Sequence, residues 1–166
     1  LMTLGETINR KWLPAAPQFQ NYLDAWEQAK FAKYFLNSVI ITVTTVVGLV
    51  VTSTLAGYAF GRIKFWGRDA IFAILLATMM IPETVTLLPN LLMIRGAILP
   101  LPGGSWLNTL QALTVPFMAN AFSIFLLKQF FSQVPSELYD AARIDGAGHF
   151  RFLMQIVLPI SKAPMM

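Results

Sequence analysis

Charge drops out of this chain in long stretches. No charged residue lies between Lys33 and Arg62. Within that gap, 36–60 supplies the run of about 20 apolar residues that a helix needs to cross a bilayer. Its serines and threonines are compatible with such a helix, because their hydroxyls bond back to its own carbonyls. Gly48, Thr52 and Ala56 recur every four residues, and so do Ser53, Gly57 and Gly61. Small residues at that spacing predict close approach by a second helix. A second apolar segment, 70–94, is interrupted by Pro82-Glu83 and Pro89-Asn90. The next uncharged run opens on LPLPGGS, a loop signal. It continues as a third expected span, 106–127, with Trp106 suited to a membrane interface. The expected fold class is all-α, a polytopic transmembrane helix bundle.

Composition sharpens this picture. The chain is 56% hydrophobic and 12% charged, against about 25% charged in an ordinary soluble domain. It has no cysteine, which excludes disulfides and thiolate metal sites. The net charge of +4 is gathered into short clusters between apolar runs. That arrangement fits membrane orientation and argues against a nucleic-acid partner. The basic loop with Arg62, Lys64 and Arg68 is expected on the cytoplasmic side, together with Lys128, Arg143, Arg151 and Lys162. The loop holding only Arg95 is expected outside. Residues 1–33, which include Pro14 and Pro17, then form an external N-terminal segment, and 34–166 form the transmembrane domain. The chain starts at Leu1 and stops at SKAPMM. The expectation is a fragment with a span upstream and the truncated start of a further span at its end.

One segment, 135–159, breaks the apolar pattern. Ser136 is placed to be an N-cap. Glu137 and Asp140 fall in the first turn, where carboxylates suit the helix dipole. Leu138, Ala141, Ala142 and Asp145 share one helical face, and its two alanines make a shallow surface. Gly146 and Gly148 allow a sharp exit, including positive φ. A second helical pattern runs from Phe150 through Ile156 to Leu158-Pro159. The reading is a helix–turn–helix at the cytoplasmic face that docks a partner. The competing reading is an amphipathic connector lying on lipid.

The same segment resembles the EAA motif of ABC-importer permease subunits. Asp140-Ala141-Ala142 is followed by three residues and Gly146, then by nine residues and Ile156-Val157-Leu158-Pro159. Asp140 stands where the motif has Glu, which keeps the charge and shortens the reach. AARIDGA, NYLDAW, LNSVI, AGYAFGRIKFWGR and FFSQVPSELYDAA resemble the carbohydrate-type, maltose-permease-like branch. The resemblance implies a fragment of a roughly six-span permease, multi-pass in a prokaryotic plasma (inner) membrane, importing a sugar or sugar-like solute. It implies that an ATPase subunit dimer receives the coupling helix, through Glu137, Asp140, Ala141, Ala142, Asp145, Gly146 and Pro159. A second homologous permease subunit, an external solute-binding protein and the lipid bilayer complete the expected partners. The chain has no G-x-x-x-x-G-K-[ST] phosphate loop. It is expected to bind no cofactor and to be no enzyme, with ATP used by the partner subunit.

Polar residues inside the spans are the remaining candidates. A charge at mid-bilayer costs about 3 kcal/mol, so Glu83 calls for a cavity, a partner or a proton. Pro82 favours a kink. A broken helix lining the solute path is one reading, with Glu83, Thr84, Thr86, Asn90 and Asn120 as polar groups. A structural kink with Glu83 hydrogen-bonded to a neighbouring subunit, or lying near the outer interface, is the other. Thr109, Pro116, Asn120 and Ser123 form a stripe in the third span, where Asn120 either satisfies carbonyls freed by Pro116 or lines the path. His149, the only histidine, reads as a surface residue, Met79-Met80 and Met165-Met166 as packing, and Phe130-Phe131 as an anchor of the third span's inner end. No catalytic or metal site is expected. An intramembrane enzyme would need acids or a Ser–His pair beyond the lone Glu83. A passive channel or membrane scaffold without an ATPase partner is the alternative function.

Overall fold

The computed structural model describes residues 19–98 and 100–161. Among these residues all regular structure is helical. The chain divides between Thr42 and Val43 into two compact units. In the first, helix α1 spans Gln20–Gln28 and leaves Tyr22, Leu23 and Trp26 exposed. Lys30 takes a positive φ of 49° after it, and the Trp26 ring packs 4.8 Å from Phe31. Helix α2, Phe31–Arg62, begins here. The remaining expectations for the N-terminal segment, including Pro14 and Pro17, lie outside the described residues, as do those for Lys162 and Met165-Met166.

Helix α2 contains the first expected span and extends beyond it at both ends. Its Val- and Thr-rich sequence is a poor helix former in water. Without water to take up backbone groups, only a helix satisfies every N–H and C=O within one segment. Its most apolar window has a mean hydropathy of 2.2 and is only 11% buried within the chain, which leaves most of the surface for lipid or other apolar partners.

The second expected span is two helices. α3, Arg68–Thr78, and α4, Glu83–Ile94, meet at 104°. Pro82 cannot donate to a continuing helix, and it disfavours helical geometry at the residue before it. It becomes the N-cap of α4, with ψ at 139°. Glu83 therefore starts a helix, where its carboxylate faces the positive end of the dipole, and does not sit in mid-helix. Pro89 lies inside α4 without ending it.

The third expected span is displaced and bent. Trp106 precedes the helix, and its indole N–H donates to the Pro102 carbonyl. Helix α5, Leu110–Thr114, continues as a 3-10 turn through Phe117, and α6, Ala121–Gln133, follows at 41°. Lys128 is thus inside the helix and not beyond its end. It is accommodated because its ammonium lies 5.0 Å from the centre of the Phe72 ring, a cation–π contact.

The small-residue stripes of α2 face this third span. The Thr52 hydroxyl donates to the Met118 carbonyl. A Cβ added at Gly57 would come within 2.9 Å of Leu127 Cβ and 3.2 Å of the Lys128 amide nitrogen. The second contact is with backbone, which cannot swing aside. Gly57→Leu is therefore expected to destabilise the bundle by about 1–3 kcal/mol, read as a lower unfolding temperature in detergent. Unchanged stability would mean that α2 and α6 do not touch here.

The core lies at the end of the bundle where α2 and α6 finish. Tyr58, Leu127, Phe131, Val134, Ala142, Phe152, Leu153 and Val157 form one buried cluster. Phe131 is fully buried while Phe130 stays partly exposed, so the expected anchoring falls on one member of the pair.

Candidate functional site

Two further helices pack on that core as an elbow. α7 spans Ser136–Ile144 and α8 spans His149–Ile160, with a π turn over Leu153–Val157. Pro135, not Ser136, is the N-cap, and no side chain caps the helix. The restricted φ and extended ψ of Pro135 turn the chain, so the helix starts at the next residue. At the other end Gly146 has φ +77°. The Gly146 N–H donates to the Arg143 carbonyl, and Ala147 N–H to that of Ala142. This bond pair is a Schellman C-cap, in which glycine takes the left-handed position without a Cβ penalty. Gly148 has φ −77°, so the exit depends on one glycine, not two.

The proposed docking face divides. Ala142 is buried in the core, whereas Leu138, Ala141 and Asp145 are exposed. An i, i+4 pair on a helix spans more than one side chain's width, and the core takes the Ala142 edge. Ile144 is 88% exposed, an apolar side chain beside Ala141 that the sequence pattern did not single out. Phe150 on α8 is also exposed. Glu137, Asp140 and Gly146 are solvent-facing too, and so is Pro159 on α8, next to the buried Val157. Among the described residues the only salt bridge is Arg68–Asp69. The acids of α7 thus have no ionic partner among the described residues.

Arg62 ties α2 to the start of α7. Its guanidinium donates to the Val134 carbonyl at 2.7 Å and to Pro135 at 3.5 Å. Its Cζ lies 5.7 Å from the centre of the Phe152 ring. The last turn of α2 therefore holds the turn that launches α7. Nothing in the local sequence marks this role, because Arg62 and Val134 are 72 positions apart.

His149 is exposed, as expected, but it is not free. Its Nδ1 is 3.0 Å from the Tyr58 hydroxyl and its Nε2 is 3.0 Å from the Tyr139 hydroxyl.

A second feature lies between α4 and the α5–α6 bend. A cleft of about 640 Å³ is lined by Glu83, Thr84, Thr86, Asn90 and Asn120 among apolar side chains. The five polar candidates of the broken spans thus converge on one cavity. Asn120 does not satisfy carbonyls freed by Pro116. Its Oδ1 accepts from the Phe122 and Ser123 amides and caps α6, because the break leaves those N–H groups unpaired. Thr109 likewise caps α5. Among the described residues no group of three or more metal-ligating side chains occurs.

A bent-helix membrane bundle that carries a capped, exposed elbow has the form of a transport permease. The chain belongs to the family of binding-protein-dependent transport system inner membrane components, whose profile matches residues 50–166. It is 34% identical over 164 residues to the diacetylchitobiose uptake system permease protein of Streptomyces coelicolor, covering 97% of this chain and 52% of that one. It is 35% identical over 156 residues to the sn-glycerol-3-phosphate transport system permease protein of Yersinia enterocolitica, covering 90% of this chain and 53% of that one. A bacterial ABC transporter involved in the import of the acidic polysaccharide alginate shares the fold. Its TM-score is 0.78 at 24% identity, over 92% of this chain and 51% of that one. The chain spans about half the length of the curated relatives it matches.

Proposed function

We propose that the chain is part of the permease subunit of an ATP-driven, binding-protein-dependent importer for sugar or sugar-like solutes. The observation that carries this reading is the elbow. Residues at motif spacing, Asp140 to Gly146 and on to Pro159, form two helices joined by a capped turn, and the first offers Ala141 and Ile144 outward. A rigid element transmits a rigid-body movement. In this account a separate ATPase dimer in the cytoplasm hydrolyses ATP and receives α7 in a surface cleft. Closure of that dimer draws the elbows of this subunit and its homologous partner together, and the spans switch from inward-open to outward-open. An external binding protein delivers the solute, and the cleft at Glu83, Thr84, Asn90 and Asn120 lines its route. The family and the relatives support this reading, and no observation favours the passive channel or scaffold. Purification of the intact permease from its native prokaryotic inner membrane is expected to retain an ATPase subunit, and Ala141→Trp is expected to release it. A permease that never retains an ATPase would restore the channel reading.

The orientation makes a separate prediction. Lys64 lies in the basic loop after α2, on the same side as the elbow that Arg62 holds. Lys64→Cys is expected to resist an impermeant maleimide applied outside intact cells and to react after permeabilisation. Ready labelling from outside would invert the topology.

A further inference from the structure

Three rings from three helices meet beside the core, and the transport reading gives them no role. Tyr58 comes from α2, Tyr139 from α7 and His149 from the first turn of α8. The imidazole stacks on Tyr139 with centroids 5.0 Å apart and planes 19° apart. It meets Tyr58 edge-on at 6.0 Å and 70°. Each ring nitrogen is 3.0 Å from one tyrosine hydroxyl. A neutral imidazole donates from one nitrogen and accepts at the other, and a phenol does either. Both bonds therefore hold at once in either tautomer. Tyr58 is 4% exposed and Phe152 beneath it is fully buried, so the bridge is anchored on packed ground.

Tyr58 lies one turn before Arg62 on α2. Arg62 holds the start of α7 through the Val134 and Pro135 carbonyls. The Tyr58–His149–Tyr139 bridge holds the body of α7 from the other side of the Gly146 turn. The hydrophobic effect itself has no direction, whereas hydrogen bonds fix distance and angle. Two sets of directional bonds from one face of α2 therefore add orientation to what the packed core holds.

We propose that His149 is a positioning residue for coupling: by bridging Tyr58 and Tyr139 it locks α7 to α2, so that movement of the elbow is passed into the membrane-spanning helix as one rigid body. This deepens the proposed function and rests on the reading that an ATPase docks on α7.

The test uses the complete importer in lipid nanodiscs, with Thr86→Cys as a reporter in the cleft of a chain that has no cysteine of its own. Labelling of that site by a maleimide is compared with and without Mg-ATP plus vanadate, while ATP hydrolysis is followed in parallel. His149→Ala is expected to reduce the nucleotide-dependent change in labelling about tenfold, the factor for two net hydrogen bonds, with the ATPase still bound and turning over. His149→Gln, which keeps an amide near the Nε2 position, is expected to recover part of the response. Tyr58→Phe keeps the ring and removes one of the two bonds, so it is expected to cut the response about threefold, and it carries the test if His149→Ala fails to assemble. Adding Tyr58→Phe to His149→Ala is expected to do no further damage. A full nucleotide response in His149→Ala or in Tyr58→Phe, or losses that add in the double variant, would overturn the bridge. An unmodified importer with no bound ATPase would instead overturn the docking reading beneath it.

Discussion

Gly146→Val is expected to leave the protein in the membrane and to abolish the proposed ATP-dependent transport. The reason is conformational. Gly146 has φ +77°, and a Cβ there would meet nothing within 4 Å. The substitution therefore strains the backbone without crowding the core. The left-handed region costs an ordinary L-residue about 1–2 kcal/mol, and a β-branched side chain is a worse occupant still. The least costly relief is to open the Schellman cap, freeing the Arg143 and Ala142 carbonyls and turning α7 away from its docking angle. The added side chain also projects from the exposed face that the ATPase is proposed to grip. Membrane content by immunoblot and ATPase retention on purification check this. Normal retention and normal transport in Gly146→Val would show that the elbow's exit angle does not matter.

The largest stability effect is expected at Phe152. Its ring is fully buried, packs edge-on against Tyr139 at 5.0 Å and lies under Arg62. Phe152→Ala opens a cavity where α2, α7 and α8 meet, at a cost of about 3–5 kcal/mol. The apparent unfolding temperature of the detergent-solubilised protein is expected to fall, and proteolysis is expected to begin at the Gly146–Gly148 turn. A variant as stable and as protease-resistant as the parent would mean that the elbow is not seated on this core.

Much of this was legible in order along the chain. Charge gaps marked the apolar helices, because the bilayer admits few charges, although the second expected span is two helices and the third starts later than expected. Pro82 marked the break in the second span, because a missing N–H is a local property. The spacing from Asp140 through Gly146 to Pro159 marked the elbow. Glu83 was singled out by the cost of a charge in an apolar segment, Thr84, Thr86 and Asn90 as polar groups of the broken helix and Asn120 from the stripe with Pro116, but their convergence is a matter of how α4 and the α5–α6 bend pack. Contacts between distant positions left no such trace. Tyr58 and His149 are 91 positions apart, and a tyrosine in a span and a lone histidine each have an ordinary local explanation. Ile144 was passed over because the i, i+3, i+4, i+7 spacing drew the face through Leu138, Ala141, Ala142 and Asp145. Here the core takes Ala142, and Ile144 faces out.

The central claim is that α7 is the handle by which a nucleotide-driven partner moves the bundle. The most direct measurement is site-specific cross-linking from Ala141→Cys in the intact importer, in native membranes. The account predicts a covalent product with an ATPase subunit whose yield changes when Mg-ATP and vanadate are added. Cross-links to lipid alone, with no ATPase in reach in any nucleotide state, would contradict it.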